Sequence, residues 1–128
     1  MQKHNVLIVD DEPIVRESIR DWLQDSGYDV DTARDGEEAL QLVDKKDYSF
    51  LILDIRLPDI NGIEILDIIR KEEQHRGIPL ESGVSVIMLT AYDRPWMDPS
   101  LIKGSDDFIL KTDDNEKILE RIKEKLGD

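Results

Sequence analysis

The sequence predicts an α/β fold: a doubly wound, five-stranded parallel sheet with helices on both faces. Along all 128 residues, short apolar or alternating segments take turns with longer segments of helical periodicity. No repeat, low-complexity tract or linker interrupts this alternation. Three of the strand segments, VLIV, FLIL and VIML, are continuous apolar runs, which is typical of central strands covered on both sides.

The composition of the strands indicates their order. The second strand, DVDTA, is the most polar, so we place it at an edge of the sheet. The compositions are compatible with the order 2-1-3-4-5, which is common among doubly wound sheets. The predicted strands cover residues 5–10, 29–33, 50–55, 85–90 and 107–111.

Helix-terminal residues mark the helical segments. Pro13 suits the first turn of the first helix, and Gly27 suits the position just after its end. Asp113, with Glu116 three residues later, fits the cap of the last helix. The helices outside the stretch between strands 4 and 5 are predicted over residues 13–26, 36–44, 63–71 and 114–126.

The acidic composition argues against several classes of function. With 30 acidic and 17 basic side chains the formal net charge is −13, which repels nucleic-acid phosphates and anionic lipid. We therefore expect no direct nucleic-acid binding and no membrane association. The absence of cysteine excludes disulfides and thiolate chemistry. Because no apolar run could span a bilayer or serve as the core of a signal peptide, a cytoplasmic location is expected.

Polar side chains follow the strands at the carboxyl edge of the predicted sheet. The first strand ends in Asp10, followed by Asp11, and the third ends near Asp54. The fourth ends in Thr90 and the fifth in Lys111. Ligands of doubly wound sheets bind beyond this edge, where the strand order reverses. Because strands 1 and 3 flank that point, we expect the three aspartates to share one cleft, with Thr90 and Lys111 beside it.

Each of these residues has an ordinary explanation when taken alone. Paired aspartates before a helix are most often caps or partners of the helix dipole. Thr90 alone fits a β-branched strand residue, and Lys111 a solvated charge at a sheet edge. Together, however, three carboxylates in one cleft repel one another unless a divalent cation joins them. Hard oxygen ligands with room for water suit Mg²⁺.

Such a cleft has the groups that phosphoryl transfer requires. A carboxylate can attack phosphorus and form an aspartyl phosphate, provided that the charge on the phosphoryl oxygens is neutralised. We expect Mg²⁺ and Lys111 to supply that neutralisation and the Thr90 hydroxyl to donate to a third oxygen. Ala91 is small enough to leave the approach open. Asp54, at the end of the most hydrophobic segment, is the candidate nucleophile.

Four motifs carry a resemblance to a known family. The motifs IVDDEP at 8–13, LDIRLPDINGIEIL at 53–66, MLTAY at 88–92 and GSDDFILK at 104–111 resemble those of receiver domains of two-component response regulators. The resemblance covers essentially the whole chain, and the four motifs in this order are highly specific together. It implies the flavodoxin-like receiver fold.

The resemblance also implies which residues react. Asp54 is expected to accept the phosphoryl group, and Lys111 to bind that group. Asp10 and Asp11 are expected to hold Mg²⁺ together with Asp54 and the backbone carbonyl of Arg56. The phosphoryl donor in this family is a phosphohistidine on a sensor histidine kinase or a histidine phosphotransfer protein. Receiver domains also hydrolyse their own acyl phosphate, so we expect no enzymatic activity on a separate substrate.

A switch is implied by the same resemblance. Thr90 is expected to be the switch hydroxyl and Phe108 the switch aromatic side chain. Phosphorylation would draw Thr90 inward, and Phe108 would enter the space that it leaves. Arg56, Ala91 and Tyr92 stand beside the site, where they are candidates for tuning the attack of water. The alternative for Arg56 and Tyr92, an ordinary exposed side chain, stays open.

Three features depart from the family pattern. Thr112 follows Lys111 where the family usually has a proline in a cis bond; a trans bond is expected here, because cis would cost about 3 kcal/mol. Pro95 and Pro99 lie where the fourth helix should run, so we expect that helix to be shortened. For this reason the family's frequent dimer through its fourth and fifth helices is not expected. Residues 70–86 are predicted to be a polar surface insert.

The domain organisation follows from length. We expect one receiver domain over residues 1–128 and no output domain within the chain, because the last predicted helix ends two residues before the end. Its output domain is then either separate or attached in a longer protein. Both arrangements are compatible with the sequence.

Three other functions share features with this sequence. A degenerate receiver would keep the fold as an interaction module that phosphate does not switch; Thr112 and the shortened fourth helix are compatible with it. A phosphohydrolase with an aspartate nucleophile would carry that aspartate near its N-terminus, followed two residues later by an acid, whereas Arg56 is at that position here. A flavodoxin-type electron carrier needs a phosphate-binding loop after strand 1, where the acidic DDEP would repel phosphate.

Overall fold

The computed structural model describes residues 4–79, 82–90, 107–110 and 115–126. Within these ranges strands and helices alternate up to β4, as predicted. No helix of the described residues is long and apolar enough to cross a membrane. The elements are β1 (Asn5–Val9), α1 (Pro13–Asp25), β2 (Asp29–Ala33), α2 (Gly36–Lys45), β3 (Phe50–Asp54), α3 (Gly62–His75), β4 (Ser85–Thr90), β5 (Asp107–Leu110) and α4 (Asn115–Leu126).

The five strands form one parallel sheet in the order β2-β1-β3-β4-β5, which confirms the predicted order. The polar strand β2 lies at an edge, as its composition indicated. At the carboxyl edge Val9 is in register with Leu53, and Asp54 with Leu89. The ends of β1 and β3 are therefore neighbours at the point where the strand order reverses.

Alternate residues of the central strands point to opposite faces and form two apolar cores. Val6 and Ile8 of β1 pack in one core with Ile19 and Leu23 of α1, and this core also contains Ile118 of α4. On the other face, Leu7 and Val9 pack with Ala39 of α2 and with Ile65 and Leu66 of α3. Helices α1 and α4 thus cover one face of the sheet, and α2 and α3 cover the other.

The prediction of a polar insert over residues 70–86 was wrong in its first part. Helix α3 continues to His75, four residues beyond its predicted end. The ion pair between Arg70 and Glu73 at 2.7 Å reaches into this extension, and the pair between Asp67 and Lys71 at 2.9 Å lies on the turn just before it. Salt-bridged side chains one turn apart support a helix even where no apolar stripe marks it. The helix ends before Gly77, which has a φ of 75°.

Several predictions fall on parts of the chain outside the described residues. They are the shortened fourth helix and its two prolines, the Lys111–Thr112 bond, and the Asp113 cap. The other predicted helices and strands are confirmed, with ends that differ by one residue or none where the structure describes them. The predicted end of the fifth strand at residue 111 and the predicted start of the last helix at residue 114 lie outside the described residues.

Candidate functional site

Four carboxylates cluster at the carboxyl edge of the sheet. Asp10, Asp11 and Glu12 follow β1, and Asp54 ends β3. Each residue contributes a carboxylate oxygen, and these oxygens all lie within 4.8 Å of one another. Asp10 has 0% of its surface exposed and Asp54 3%, whereas Asp11 and Glu12 are exposed. The predicted convergence of the three aspartates is present, and Glu12 joins them.

The backbone around Asp10 holds its carboxylate in the cleft. The Asp10 N–H donates to the carbonyl of Ala33 at 3.1 Å, which extends the pairing of β1 with β2 by one residue. The Asp10 Oδ1 accepts a hydrogen bond from the Glu12 N–H at 2.9 Å. Arg16 of α1 reaches back and donates to the Asp10 carbonyl oxygen at 2.8 Å. This turn leads into α1, where Pro13 needs no N–H partner.

Asp54 is held by the end of the sheet and by the turn that follows it. The N–H of Ile55 donates to the Leu89 carbonyl at 3.0 Å, so the pairing with β4 reaches beyond Asp54. The Asp54 Oδ1 accepts from the Arg56 N–H at 3.2 Å. Gly62 opens α3 directly against the backbone of Asp54 and donates to the Ile55 carbonyl at 2.8 Å.

The loop between β3 and α3 is tied to the start of α2 by Asp59. Its carboxylate accepts hydrogen bonds from the N–H groups of Gly36 at 2.8 Å, Glu37 at 2.9 Å and Ile60 at 2.8 Å. The bond from the Gly36 N–H, ahead of those from Glu37 and Ile60, lowers the pKa of the Asp59 carboxyl below its ordinary value of 3.8. An anion is favoured at this position because helix N-termini carry unpaired N–H groups and positive partial charge.

Sequence reasoning missed the contributions of Asp59, Gly62 and Glu12. Asp59 bonds to a helix 23 residues earlier, a contact that no local pattern could have indicated. A signal for the start of α3 was present, since Asn61 is a typical N-cap residue directly before Gly62. Glu12 lies in the quoted DDEP run directly after Asp10 and Asp11, but the prediction of the shared cleft included only the three aspartates.

The structure describes the positions of some of the remaining predicted site residues. Thr90 ends β4 and is in register with Leu110 of β5. Phe108 lies on β5, and 44% of its surface is exposed. The side chain of Arg56 is exposed next to Asp54. Lys111, Ala91 and Tyr92 lie outside the described residues.

The carboxylate cluster fits a hard divalent cation. Close carboxylates repel one another in the ionised state, and the repulsion is largest where water is excluded, as it is around Asp10 and Asp54. Oxygen ligands on two buried and two exposed side chains leave one side of the site open to water, an arrangement that Mg²⁺ favours. The donor set contains no nitrogen or sulfur ligand that would favour a softer metal.

Comparison with known proteins identifies the family. The family model described as response regulator receiver domain matches residues 6–123. The chain is 35% identical over 127 residues to the probable transcriptional regulator ycf27 of Porphyridium aerugineum, which covers 98% of this chain and 49% of that protein. It is 36% identical over 120 residues to the transcriptional regulatory protein TrcR of Mycobacterium tuberculosis, covering 92% of this chain and 43% of that protein. The chain thus spans about half the length of these curated relatives.

Solved structures agree with the sequence relatives. The chemotaxis response regulator CheY4 of Vibrio cholerae superposes with a TM-score of 0.80 at 28% identity, covering 96% of this chain and 98% of that one. The response regulator TrrA of Thermotoga maritima, solved in complex with Mg²⁺ and BeF, superposes with a TM-score of 0.77 at 35% identity, again covering 96% and 98%. With its parallel sheet, its acidic cleft and these matches, the chain belongs to the receiver domain family of two-component response regulators.

Proposed function

We propose that this receiver domain accepts a phosphoryl group on Asp54 and that the modification switches a partner or output surface. The observation that carries the proposal is the buried Asp54 carboxylate, which lies with three further carboxylates within 4.8 Å at the carboxyl edge of the sheet. A carboxylate oxygen of Asp54 would form a bond to phosphorus while the bond from phosphorus to the donor's imidazole nitrogen breaks. The electron pair leaves with the imidazole, which then takes up a proton.

The residues around Asp54 would prepare this transfer. Asp10, Asp11, Asp54 and the Arg56 backbone carbonyl would hold Mg²⁺, which supplies positive charge to the phosphoryl oxygens when it is bound. The hydrogen bonds of Asp10 with Glu12 and of Asp54 with Arg56 orient two of the carboxylates before the ion arrives. Orientation in advance lowers the cost of positioning at the moment of reaction.

Residues at the ends of β4 and β5 complete the proposed site. Thr90 would donate from its hydroxyl to a phosphoryl oxygen, and Lys111 would pair with another. Inward movement of Thr90 would make room for Phe108, which is 44% exposed in this structure. Movement of Phe108 would change the surface next to β5, and that surface would be read by the partner.

Hydrolysis of the acyl phosphate would reset the domain. Water attacks phosphorus and the bond to the Asp54 oxygen breaks, so inorganic phosphate leaves and the carboxylate returns. Arg56, Ala91 and Tyr92 would tune access of that water. The chain would catalyse only its own phosphorylation and dephosphorylation, rather than the turnover of a separate substrate.

A sensor histidine kinase or a histidine phosphotransfer protein is the proposed donor. Ile14, in the first turn of α1 just after the carboxylates, is 77% exposed. A protein donor that brings its phosphohistidine to Asp54 would cover this side chain, and burial of its apolar surface would favour the complex. The matched relatives are transcriptional regulators about twice as long as this chain, which supports a transcriptional output domain, attached or separate. We place the domain in the cytoplasm, where such donors and outputs meet.

Incubation with acetyl phosphate tests the proposal. With Mg²⁺ present, intact mass should rise by one phosphoryl group, and the gain should disappear in Asp54→Ala or when the ion is chelated. Hydrogen exchange at β5 should change together with the mass. Absence of the mass gain would contradict the proposal. Phosphorylation without any change at β5 would favour the alternative, an interaction module that keeps the receiver fold but is not switched by phosphate.

A further inference from the structure

A wide groove runs between α2 and α3, on the sheet face away from α1 and α4. Its volume is about 920 Å³, within the range of protein sites that bind other molecules. Leu51 of β3 and Ile69 of α3 form its buried floor. Leu40 and Val43 of α2 line one side, and Ile68 of α3 lines the other. Ile68 is 43% exposed, so the groove presents apolar surface to solvent.

Residues that follow α3 line part of this groove. Ile78 and Val84 are among them, and Glu73 of α3 bonds to the backbone of Val84. The Glu73 Oε2 accepts from the Val84 N–H at 2.7 Å, while its Oε1 accepts from Arg70 at 2.7 Å. A Cβ on Gly83 would lie 2.5 Å from the Glu73 Oε1, so the chain packs closely on the carboxylate. Described residues of the segment predicted as a surface insert, among them Ile78 and Val84, therefore form part of the wall of the groove.

The rim of the groove carries an excess of acidic side chains. Among the described lining residues the cations are Lys46 and Arg76, and Lys46 is already paired with Asp31 at 3.0 Å. The carboxylates of Asp59 and Glu73 are engaged in the hydrogen bonds given above. The other acidic lining side chains are exposed at the rim: Glu37, Asp44, Asp47 and Glu72.

These observations select one kind of occupant. A purely apolar ligand would cover the floor but leave the acidic rim without a partner, and an anionic one would be repelled. A helix with an apolar stripe and cationic flanks matches both the floor and the rim. The length also fits, because the 10 residues of α2 extend over about 15 Å, which equals nearly three helical turns of an occupant lying along it.

We propose that the groove between α2 and α3 is a docking site for a cationic amphipathic helix of a partner protein. Apolar side chains at positions i, i+3 or i+4, and i+7 of that helix would contact Ile68, Leu40 and Val43. Lysine or arginine side chains beside the stripe would approach the acidic rim. The site is separate from the carboxylate cleft, and it does not depend on phosphorylation of Asp54.

A synthetic peptide tests this proposal on the whole chain. The probe is a fluorescein-labelled peptide of 14 residues, with leucine at the stripe positions and lysine elsewhere; a scrambled peptide of the same composition is its control. Anisotropy titrations should show at least about tenfold weaker binding of the scrambled peptide. Amide NMR shifts should concentrate on α2, α3 and residues 78–84.

Two surface variants locate the binding site. Ile68→Ser should weaken binding of the leucine-lysine peptide by about fivefold or more. Glu72→Lys should also weaken binding, and the remaining affinity should depend less on salt concentration than the affinity of wild type does. Ile14→Ser removes an equally apolar exposed side chain on α1 and should leave peptide binding unchanged. Equal binding of the scrambled peptide would show general charge attraction and overturn the proposal. The proposal would also be overturned if the leucine-lysine peptide did not bind, if Ile68→Ser bound it as tightly as wild type, or if the NMR shifts centred on another face.

Discussion

Gly62, the first residue of α3, packs directly on the backbone carbonyl of Asp54, the last residue of β3. A Cβ at position 62 would collide with that carbonyl oxygen and would lie 2.9 Å from the Cα of Ile55. The Gly62 N–H also donates to the Ile55 carbonyl at 2.8 Å. The start of α3 therefore rests on the residues that present the buried carboxylate, and the fit depends on the missing side chain.

Gly62→Ala is expected to disturb both the fold and the site. The added methyl group meets backbone atoms, which cannot rotate away, so β3 and α3 must separate locally. We expect a loss of about 1–3 kcal/mol in the free energy of unfolding, measured by urea denaturation. Weaker Mg²⁺ binding should accompany this loss, because the Asp54 backbone moves.

Gly77→Ala is the matched control for that variant. A Cβ there would meet nothing within 4 Å, but φ is 75°, so the cost of about 1–2 kcal/mol would come from the backbone alone. Its Mg²⁺ affinity should equal that of wild type. If Gly62→Ala also kept its Mg²⁺ affinity, the close packing on Asp54 would have no bearing on the site.

The Asp59 carboxylate is expected to stabilise the fold in a pH-dependent way. Its pKa is lowered in the folded chain, so its contribution is complete above the ordinary value of 3.8 and is lost as pH falls through the lower folded value. Asp59→Asn should therefore unfold at lower urea concentration than wild type at pH 7. The difference should shrink when the comparison is repeated below about pH 4.

Asp67→Asn serves as the comparison for Asp59→Asn. Its carboxylate pairs with Lys71 on the surface of α3, with 60% of its side chain exposed. Exposed pairs contribute little to stability, so its urea midpoint should stay close to that of wild type at each pH. If the difference in urea midpoint between Asp59→Asn and wild type did not change with pH, the stabilising role of the Asp59 charge would be contradicted.

Divalent cations should stabilise the chain through the carboxylate cluster. A ligand that binds only the folded state adds about 2.7 kcal/mol to the free energy of unfolding when its concentration is a hundred times its Kd. Mg²⁺ should therefore raise Tm. Asp11→Asn removes an exposed member of the cluster and should lose most of this rise, measured by differential scanning calorimetry. Asp67→Asn, outside the cluster, should keep it. Equal rises in both variants would place the ion elsewhere.

Ile14 should matter for a protein donor but not for a small one. We expect Ile14→Ser to slow phosphoryl transfer from a phosphorylated histidine phosphotransfer protein by about fivefold or more, because an exposed apolar contact is lost. The rate of the Ile14→Ser variant with acetyl phosphate should match that of wild type, since this small donor would not contact residue 14 while it reacts with Asp54. An equal slowing with both donors would mean that the substitution disturbs the cleft itself.

The sequence was informative where a regular pattern determines position. Strand ends of a parallel sheet meet at one edge, so the convergence of Asp10, Asp11 and Asp54 could be predicted from the alternation of strands and helices together with the strand order that is common among doubly wound sheets. The polar composition of β2 likewise predicted its place at an edge, and the apolar runs predicted the central strands.

Contacts between loops and helix ends were not predictable in this way. The hydrogen bond from the Gly36 N–H to Asp59 depends on how two separate turns fold, and no spacing along the chain encodes that. The extension of α3 to His75 lies in a stretch that has no apolar stripe, and the ion pair between Arg70 and Glu73 supports it. The capture of the Val84 N–H by Glu73 similarly joins two segments that looked like ordinary polar surface.

Chemical mapping of the phosphorylated residue tests the central claim most directly. After reaction with acetyl phosphate and Mg²⁺, borohydride reduces an aspartyl phosphate to homoserine, and trypsin releases residues 47–56 with Asp54 inside. Homoserine is expected at position 54, and only in the Mg²⁺ sample. Homoserine at Asp10, Asp11 or another carboxylate, or none anywhere, would contradict the assignment of Asp54 as the phosphoacceptor.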